Sequence, residues 1–565
     1  VRLGQGTSQH MLIAGKTGSG KSTFLHGLIT NLALHYSPNE LQFFLIDFKK
    51  GVEFKDYAQF HLPHARVIAI ESDREFGVSA LTRLDELMAE RGELFRRHGA
   101  QDVNGFRSGN SGIPMPRILL VIDEFQEFFT EDDKYAQTAA LLLDRLVRQG
   151  RAFGIHVILG SQTLGGAYSL ARSTLGQVAV RVALQCSEAD AHLILSEDNT
   201  AARLLSRPGE AIYNDANGLV EGNHPFQIAW LPDDKREQYL RELEQLAEAR
   251  GLGVESPIVF EGNIPSDLAG NTTLRKLLAG EPVEGLRKTA PRVWLGDAVE
   301  IGDPTSVLLE RQSSANVLLV GQDAEAVQGM MTAAAMAVSA QSETADPVIY
   351  LFDGSAADDP VREVWGQLEQ TLGNRFRRVA PNQAVATLAE LTAERERRDA
   401  DRDVLPETCC VLVYNLSRFR DLRRSEDDFG FGGGFGSGAE AKAPPAKQFT
   451  QLLSSGPELG MHAIVWADSY NNVERWFSRQ QLRDFELRIL FPMNAADASN
   501  LIDSPLASRL GTGRAILYRE DRGSVEKFRP YAVPAFEWLA TAGAEPEESG
   551  SEEESELRLD EFTVT

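Results

Sequence analysis

The chain carries the same pattern twice, so its fold must be one that can be built twice. "HMLIAGKTGSGKSTFL" (His10 to Leu25) aligns with "NVLLVGQDAEAVQGMM" (Asn316 to Met331), and "FFLIDFK" with "VIYLFDG" (Val348 to Gly354), which sets Asp47 opposite Asp353. "GIHVILGSQT" (Gly154 to Thr163) aligns with "GMHAIVWADS" (Gly460 to Ser469), and "VRVALQCSEADAHLIL" with "LRILFPMNAADASNLI" (Leu487 to Ile502). "GEAIY" aligns with "GRAILY". Within each copy, short apolar runs alternate with amphipathic stretches at helical spacing. That order builds a parallel sheet buried by helices on both faces. Two tandem α/β domains are expected.

In copy one the chemistry is explicit. Gly15-Lys16-Thr17-Gly18-Ser19-Gly20-Lys21-Ser22 fits G-x-x-x-x-G-K-[ST], the phosphate-binding P-loop. It follows the apolar "MLIAG" and precedes "STFLHGLITNLALHY", whose Phe24, Leu25, Leu28, Ile29, Leu32 and Leu34 fall near helical spacing. Strand, glycine loop and helix are the context the motif requires. The glycines let backbone N–H groups turn inward to phosphate oxygens, and the helix N-terminus adds partial positive charge. Lys21 is expected to reach the β- and γ-phosphates of ATP and Ser22 to ligate Mg²⁺, with Gly15 to Thr23 forming the nucleotide-binding segment. "RILLVIDEF" (Arg117 to Phe125) then delivers Asp123 and Glu124 to the C-terminal tip of a buried strand, where open α/β sheets bind ligands. Asp123 is expected to hold the Mg²⁺ water shell, and Glu124 to orient and deprotonate the attacking water. A further buried strand ends in Ser161-Gln162-Thr163, and Gln162 is the candidate γ-phosphate sensor.

"HMLIAGKTGSGKS", "LIDFKKGVEF", "LLVIDEF", "GRAFGIHVILGSQT" and "RPGEAIY" fall in the order and spacing of the FtsK/SpoIIIE-type motor ATPases of the FtsK-HerA superfamily. The stretch from about Met11 to Leu231 resembles that family, and the tandem layout resembles the EccC ATPases of type VII secretion. The resemblance implies RecA-like domains, a hexameric homo-oligomeric ring with ATP between subunits, and an arginine finger supplied by the neighbour. Gln162-Thr163-Leu164 departs from the Gln-Arg-Pro that the family often has there.

Copy two keeps the apolar strands and loses the catalytic set. Val327 and Gln328 stand for Lys21 and Ser22, and Asp468 stands for Gln162. In "VLVYNLSRF" (Val411 to Phe419), Tyr414 and Asn415 stand for Asp123 and Glu124. Phosphoryl transfer rests on charge stabilisation by such groups. The second domain is therefore expected to be degenerate, neither hydrolysing ATP nor binding it. The repeat also sorts the arginines. "LVRQGRAFG" (Leu146 to Gly154) aligns with "LLSSGPELG" (Leu452 to Gly460), so Arg148 becomes Ser454 and Arg151 becomes Pro457. Arg181 persists as Arg488 and Asp190 as Asp497, which marks them as structural. Arg151, or with slightly less weight Arg148, is the candidate finger; either would also suit the negative end of a helix dipole.

The 565 residues exceed a single core. Residues 1–232 are assigned to the active domain, 233–292 to a helical and irregular connector, 293–540 to the degenerate domain and 541–565 to an acidic, disordered tail. The Gly-, Pro- and charge-rich stretch 423–447, with Phe429, Phe431 and Phe435, is expected to be a flexible insertion. Cys186, Cys409 and Cys410 form no disulfide or metal pattern, which suits a reducing cytoplasm. No apolar run is long enough for a transmembrane helix. The chain opens on Val1 with no leader and is expected to be a fragment, with membrane tethering through a missing N-terminal region left open. The net charge of −25 argues against a nucleic-acid coat but not against a motor whose basic residues line a channel. Arg172, in the loop Leu164 to Gln177, is the obvious cation for such a channel. Three functions compete: a translocase acting on double-stranded DNA, an EccC-like protein-secretion ATPase, and a non-hydrolysing scaffold. The intact Asp123-Glu124 pair speaks against the last, and the first is preferred.

Overall fold

The computed structural model describes residues 3–49, 53–109, 112–165, 172–252, 256–262, 264–403, 405–424 and 443–542. Most of the expected insertion and tail, and the side chain of Arg172, lie outside the described residues. The chain divides into two compact units, 1–264 with 299–302, and 265–298 with 303–565.

The first unit is built on nine strands: β1 Met11–Ala14, β2 Leu41–Asp47, β3 Ala65–Ile70, β4 Arg117–Asp123, β5 Ile155–Ser161, β6 Val180–Leu184, β7 Glu210–Asn214, β8 Asn223–Gln227 and β9 Ile258–Glu261. Their order is β8-β7-β6-β1-β5-β4-β2-β3-β9. Only β7 and β8 run antiparallel. The central strands are apolar on both faces because both are covered. The P-loop helix Lys21–His35 packs on one face with Phe24, Leu25 and Ile29, and helices Arg74–Arg97 and Lys134–Phe153 pack on the other. Helix Lys134–Phe153 begins earlier than its apolar periodicity suggests because Asp133 caps it, its carboxylate accepting from Ala136 N–H.

The segment expected as a connector does not stand apart. Helix Asp233–Ala249 buries Leu240 and Leu243 in the first core, and β9 extends the first sheet beside β3. Residues 265–298 belong to the second unit. The apolar Ile258, Val259 and Phe260 completed a sheet edge, a long-range pairing that their short run does not announce.

The second unit has ten strands: β10 Arg292–Ala298, β11 Thr305–Leu308, β12 Val317–Val320, β13 Ile349–Asp353, β14 Phe376–Val379, β15 Cys409–Tyr414, β16 Met461–Ala467, β17 Leu487–Leu490, β18 Ala515–Arg519 and β19 Ser524–Pro530. The order β19-β18-β17-β12-β16-β15-β13-β14 repeats β8-β7-β6-β1-β5-β4-β2-β3, and β10 and β11 extend the edge beyond β19. The registers agree residue by residue. Met11 lies opposite Ile158 as Val317 lies opposite Ile464, and Asp47 opposite Asp123 as Asp353 lies opposite Tyr414.

The buried polar contacts repeat as well. His156 Nδ1–H donates to Gln9 O, and His462 Nδ1–H donates to Ala315 O. Val157 N–H donates to His10 Nδ1, and Ala463 N–H donates to Asn316 Oδ1. Arg181 donates to the carbonyl of Ile194 at 3.0 Å, and Arg488 to that of Leu501 at 2.7 Å. Both arginines therefore hold the sheet to the following helix. Among the described residues no helix is long and apolar enough to cross a membrane.

Candidate active site

The P-loop leaves β1 pinned on both sides. Gly15 N–H donates to Ser161 O at the tip of β5, and Lys16 N–H to Gln185 O just past β6. Gly18 and Gly20 sit at φ 78° and 107°, where a side chain would be strained. A Cβ on Gly20 would also lie 3.3 Å from the backbone of Gly209, so "RPGEAIY" packs against the loop. The helix then starts at Lys21, and the N–H groups of its first turn have no partner within the helix.

Lys21 is buried, and its Nζ lies 2.5 Å from Asp123 Oδ1 and 2.6 Å from Glu124 Oε1. Glu124 reaches this position because its backbone turns left-handed, φ 55°, immediately after β4. Asn415, at the equivalent position of the second unit, turns left-handed too, φ 61°, so the turn belongs to the shared strand end and Glu124 uses it to face the loop. Glu124 Oε2 accepts from Gln126 Nε2 at 2.7 Å and from Gln162 N–H at 3.0 Å. The Gln162 side chain in turn accepts from Thr17 Oγ1 at 2.8 Å. Ser22 Oγ donates to Glu53 Oε1 at 2.7 Å. Burial pushes Asp123 upward, with the Lys21 charge only partly opposing it. In Glu124 the same burial is outweighed by Lys21, Gln126 and Gln162, which hold it below the usual carboxylate range. Asp47, level with Asp123 on the neighbouring strand, is pushed up to about 7 by burial, helped by Asp123 and Glu53.

These groups share a cleft of 330 Å³ lined by Lys16 to Gly18, Gly20 to Thr23, Lys49, Glu53, Asp123, Glu124 and Gln162. The donor set suits Mg²⁺: hard oxygens from Ser22 and Asp123, further carboxylates behind them, and a buried Asp47 Oδ2 with no partner. The arrangement therefore brings together the sequence-derived P-loop, Asp123, Glu124 and Gln162. Ser19 is buried beneath the loop rather than lining the cleft. Arg148 and Arg151 lie elsewhere, on the last turns of helix Lys134–Phe153. Arg148 is bonded to Asp144, while Arg151 is exposed and makes no ion pair among the described residues.

Four contributors escaped the sequence reading. Glu53 and Lys49 sit on an irregular loop without periodicity. Gln126 follows the acidic pair on a short turn. Gly160, inside β5, is required because a Cβ there would lie 2.6 Å from Asp123 Oδ1. Its alignment opposite Trp466 was the available signal.

At the matching place in the second unit the helix begins at Ala324, capped by Asp323. That is three residues before the position equivalent to Lys21, so the stretch matching Gly18 to Gly20 is helix rather than loop. Trp466 occupies the Gly160 position, and its indole N–H donates to Gly321 O at 2.9 Å. Tyr414 occupies the Asp123 position, 4.8 Å from the Trp466 ring and 5.5 Å from Trp365, and accepts from Gln328 Nε2. Asp468 accepts from Ser469 and Asn472 and makes no hydrogen bond to the loop among the described residues.

A strand–P-loop–helix unit with a paired acidic strand tip, in a mostly parallel sheet, defines a P-loop ATPase domain. Residues 3–165 match the model of the FtsK/SpoIIIE family. The chain is 28% identical over 252 residues to the DNA translocase FtsK of Lactococcus lactis subsp. lactis (strain IL1403), covering 43% of this chain and 31% of the relative. It is 31% identical over 268 residues to the ESX secretion system protein YukB of Bacillus subtilis (strain 168), covering 46% and 17%. The chain thus spans less than a third of the length of these relatives. Its fold resembles the cytoplasmic domain of the Thermomonospora curvata type VII secretion ATPase EccC, with a TM-score of 0.62 at 19% identity, over 95% of this chain and 63% of that one.

Proposed function

We propose that the first unit binds and hydrolyses ATP, and that the chain is an FtsK/SpoIIIE-type motor that uses this energy to move a polymer. One observation carries the reading: Lys21 at the start of the P-loop helix, Asp123 and Glu124 at the end of β4, and Gln162 after β5 meet in one cleft with the P-loop. The loop N–H groups and Lys21 hold the phosphates. Ser22 and Asp123 hold Mg²⁺, which when bound offsets phosphate charge. Glu124, steered by Gln126 and Gln162, takes the proton of the attacking water. Gln162 links the P-loop hydroxyl of Thr17 to Glu124, which suits a sensor. Arg151, exposed on its helix end, is assigned as the finger for the neighbouring subunit in a ring. The second unit, with an apolar plug in place of the cleft, serves structure, regulation or partner docking.

The polymer in this reading is double-stranded DNA, gripped through its phosphates and without base recognition, so binding is salt-sensitive. A secreted protein is the second reading, favoured by the likeness of the whole tandem fold to EccC. The deciding experiment is the ATPase rate with and without long duplex DNA. Stimulation by DNA that vanishes with salt and in Glu124→Gln is expected. No stimulation and no salt-dependent binding in any oligomeric form would sink the DNA reading.

A further inference from the structure

The first unit has a second cavity, of 580 Å³, that meets the phosphate cleft along Ser22, Thr23 and Glu53. Its walls do not suit phosphate. Its anionic groups include Glu53 and Asp56, and its one guanidinium, Arg236, is already engaged by Asp56 and Asp233. Its apolar wall includes the indole of Trp230, which is 71% exposed. That exposure sets Trp230 apart. Trp294, Trp365, Trp466 and Trp476 are all buried, and Trp538 is partly buried against a core.

The second unit closes the same place. Thr23 corresponds to Gly329, and a Cβ on Gly329 would lie 1.9 Å from the carbonyl oxygen of Tyr531. The chain leaving β19 therefore rests directly on the helix, held there by buried Tyr531, whose hydroxyl accepts from Asn271 at 3.0 Å. In the first unit Ile228 still packs in the core with Phe24, but beyond it the cavity lies between Ser22, Thr23 and His26 of the helix and Trp230 and Leu231. The cavity is open where the P-loop motif is intact and filled where the motif is lost.

We propose that this cavity receives the nucleoside end of the nucleotide, with the base stacked on Trp230 and the ribose hydroxyls donating to Glu53 and Asp56. The proposal rests on the ATP reading above. The two cavities divide a nucleotide by chemistry. Lysine and helix N–H groups take the anionic end. An indole takes the flat ring, since every base offers a π-face. Glu53 stands at the junction of the two cavities, while Asp56 lies only in the second, where it accepts from hydroxyl groups and repels phosphate, which fixes the direction in which the ligand lies.

Trp230 is the sole tryptophan of the first unit and the most exposed of the chain's six, so the acrylamide-quenchable fluorescence of the full-length protein reports chiefly on it. ATP and ADP are expected to shield the acrylamide-quenchable fluorescence, whereas tripolyphosphate leaves it unchanged. Trp230→Ala is expected to weaken ATP and ADP roughly tenfold, the scale of base–aromatic stacking, without altering tripolyphosphate affinity. Trp230→Phe should retain most of the affinity. The nucleoside site is overturned if Trp230→Ala leaves ATP affinity unchanged, if it weakens tripolyphosphate equally, or if the wild type binds the two ligands equally well. A wild-type chain that binds neither ligand overturns the ATP reading itself, and this proposal with it.

Discussion

The two units share a sheet order, a strand register, a buried histidine and a buried arginine, yet they fill the same place with opposite chemistry. In the first, a lysine and two carboxylates are buried together, at a desolvation cost that their partners outweigh at Glu124 and only partly oppose at Asp123. In the second, Trp365, Tyr414 and Trp466 occupy that space. A buried aromatic ring removes about 200 Å² from water, worth roughly 5 kcal/mol before entropy. What the two copies keep is what holds the sheet. What they exchange is what would handle phosphate. The scaffold and the chemistry are thus written at different positions, and one of those positions is a glycine.

That contrast can be broken most severely at Gly160. Gly160→Trp places the second unit's residue against Asp123, and ATPase activity should fall to background with ATP binding lost. Activity within tenfold of wild type would show that the Trp466 position is not what separates the copies. The reverse change, Trp466→Gly, should create no nucleotide site, because no lysine or carboxylate is there to use it.

A smaller effect is expected at the arginines lost with the chemistry. Arg151→Ala should lower kcat by about a thousandfold while ATP binding survives, as for other arginine fingers. Arg148→Ala should do less, since its guanidinium is held by Asp144. Full activity in both variants would leave the finger to another residue.

The smallest effect sharpens the comparison through stability. Burial holds His156 at about 4 and His462 at about 4, and His10 at about 3 with His156 assisting. These histidines stay neutral when folded but take a proton near pH 6.5 when unfolded. Stability is therefore full above pH 6.5 and is lost as pH falls toward 4, by on the order of 3 kcal/mol per histidine. The first unit has three such groups, since burial also holds His64 below its ordinary value; Asp47, raised to about 7 by burial, gains stability as pH falls and offsets about one of them. The second has one, with Asn316 in place of His10. Thermal unfolding followed from pH 7 to pH 4.5 should show the first unit's transition falling further, and His10→Asn should narrow the gap. Equal shifts in both units would contradict this.

Much of this was legible because it was local. The P-loop, the Asp123-Glu124 strand tip and the repeat are contiguous patterns, and the pairing of Arg181 with Arg488 pointed to a shared structural contact. The rest depended on contacts between distant segments. Glu53 matters because Ser22 lies beside it, and Gly160 because Asp123 does. β9 joined a sheet whose nearest strand lies far back in the chain. The early start of the second unit's helix was readable in retrospect, since Ala324, Glu325 and Ala326 favour helix where Gly18, Ser19 and Gly20 do not.

The two units part over nucleotide: the first is expected to bind it and the second is not. The most direct measurement is the stoichiometry of ATP binding to the full chain, paired with Lys21→Ala. One nucleotide per chain, lost in Lys21→Ala, is expected. A second equivalent, or nucleotide located near Gly321, would contradict it.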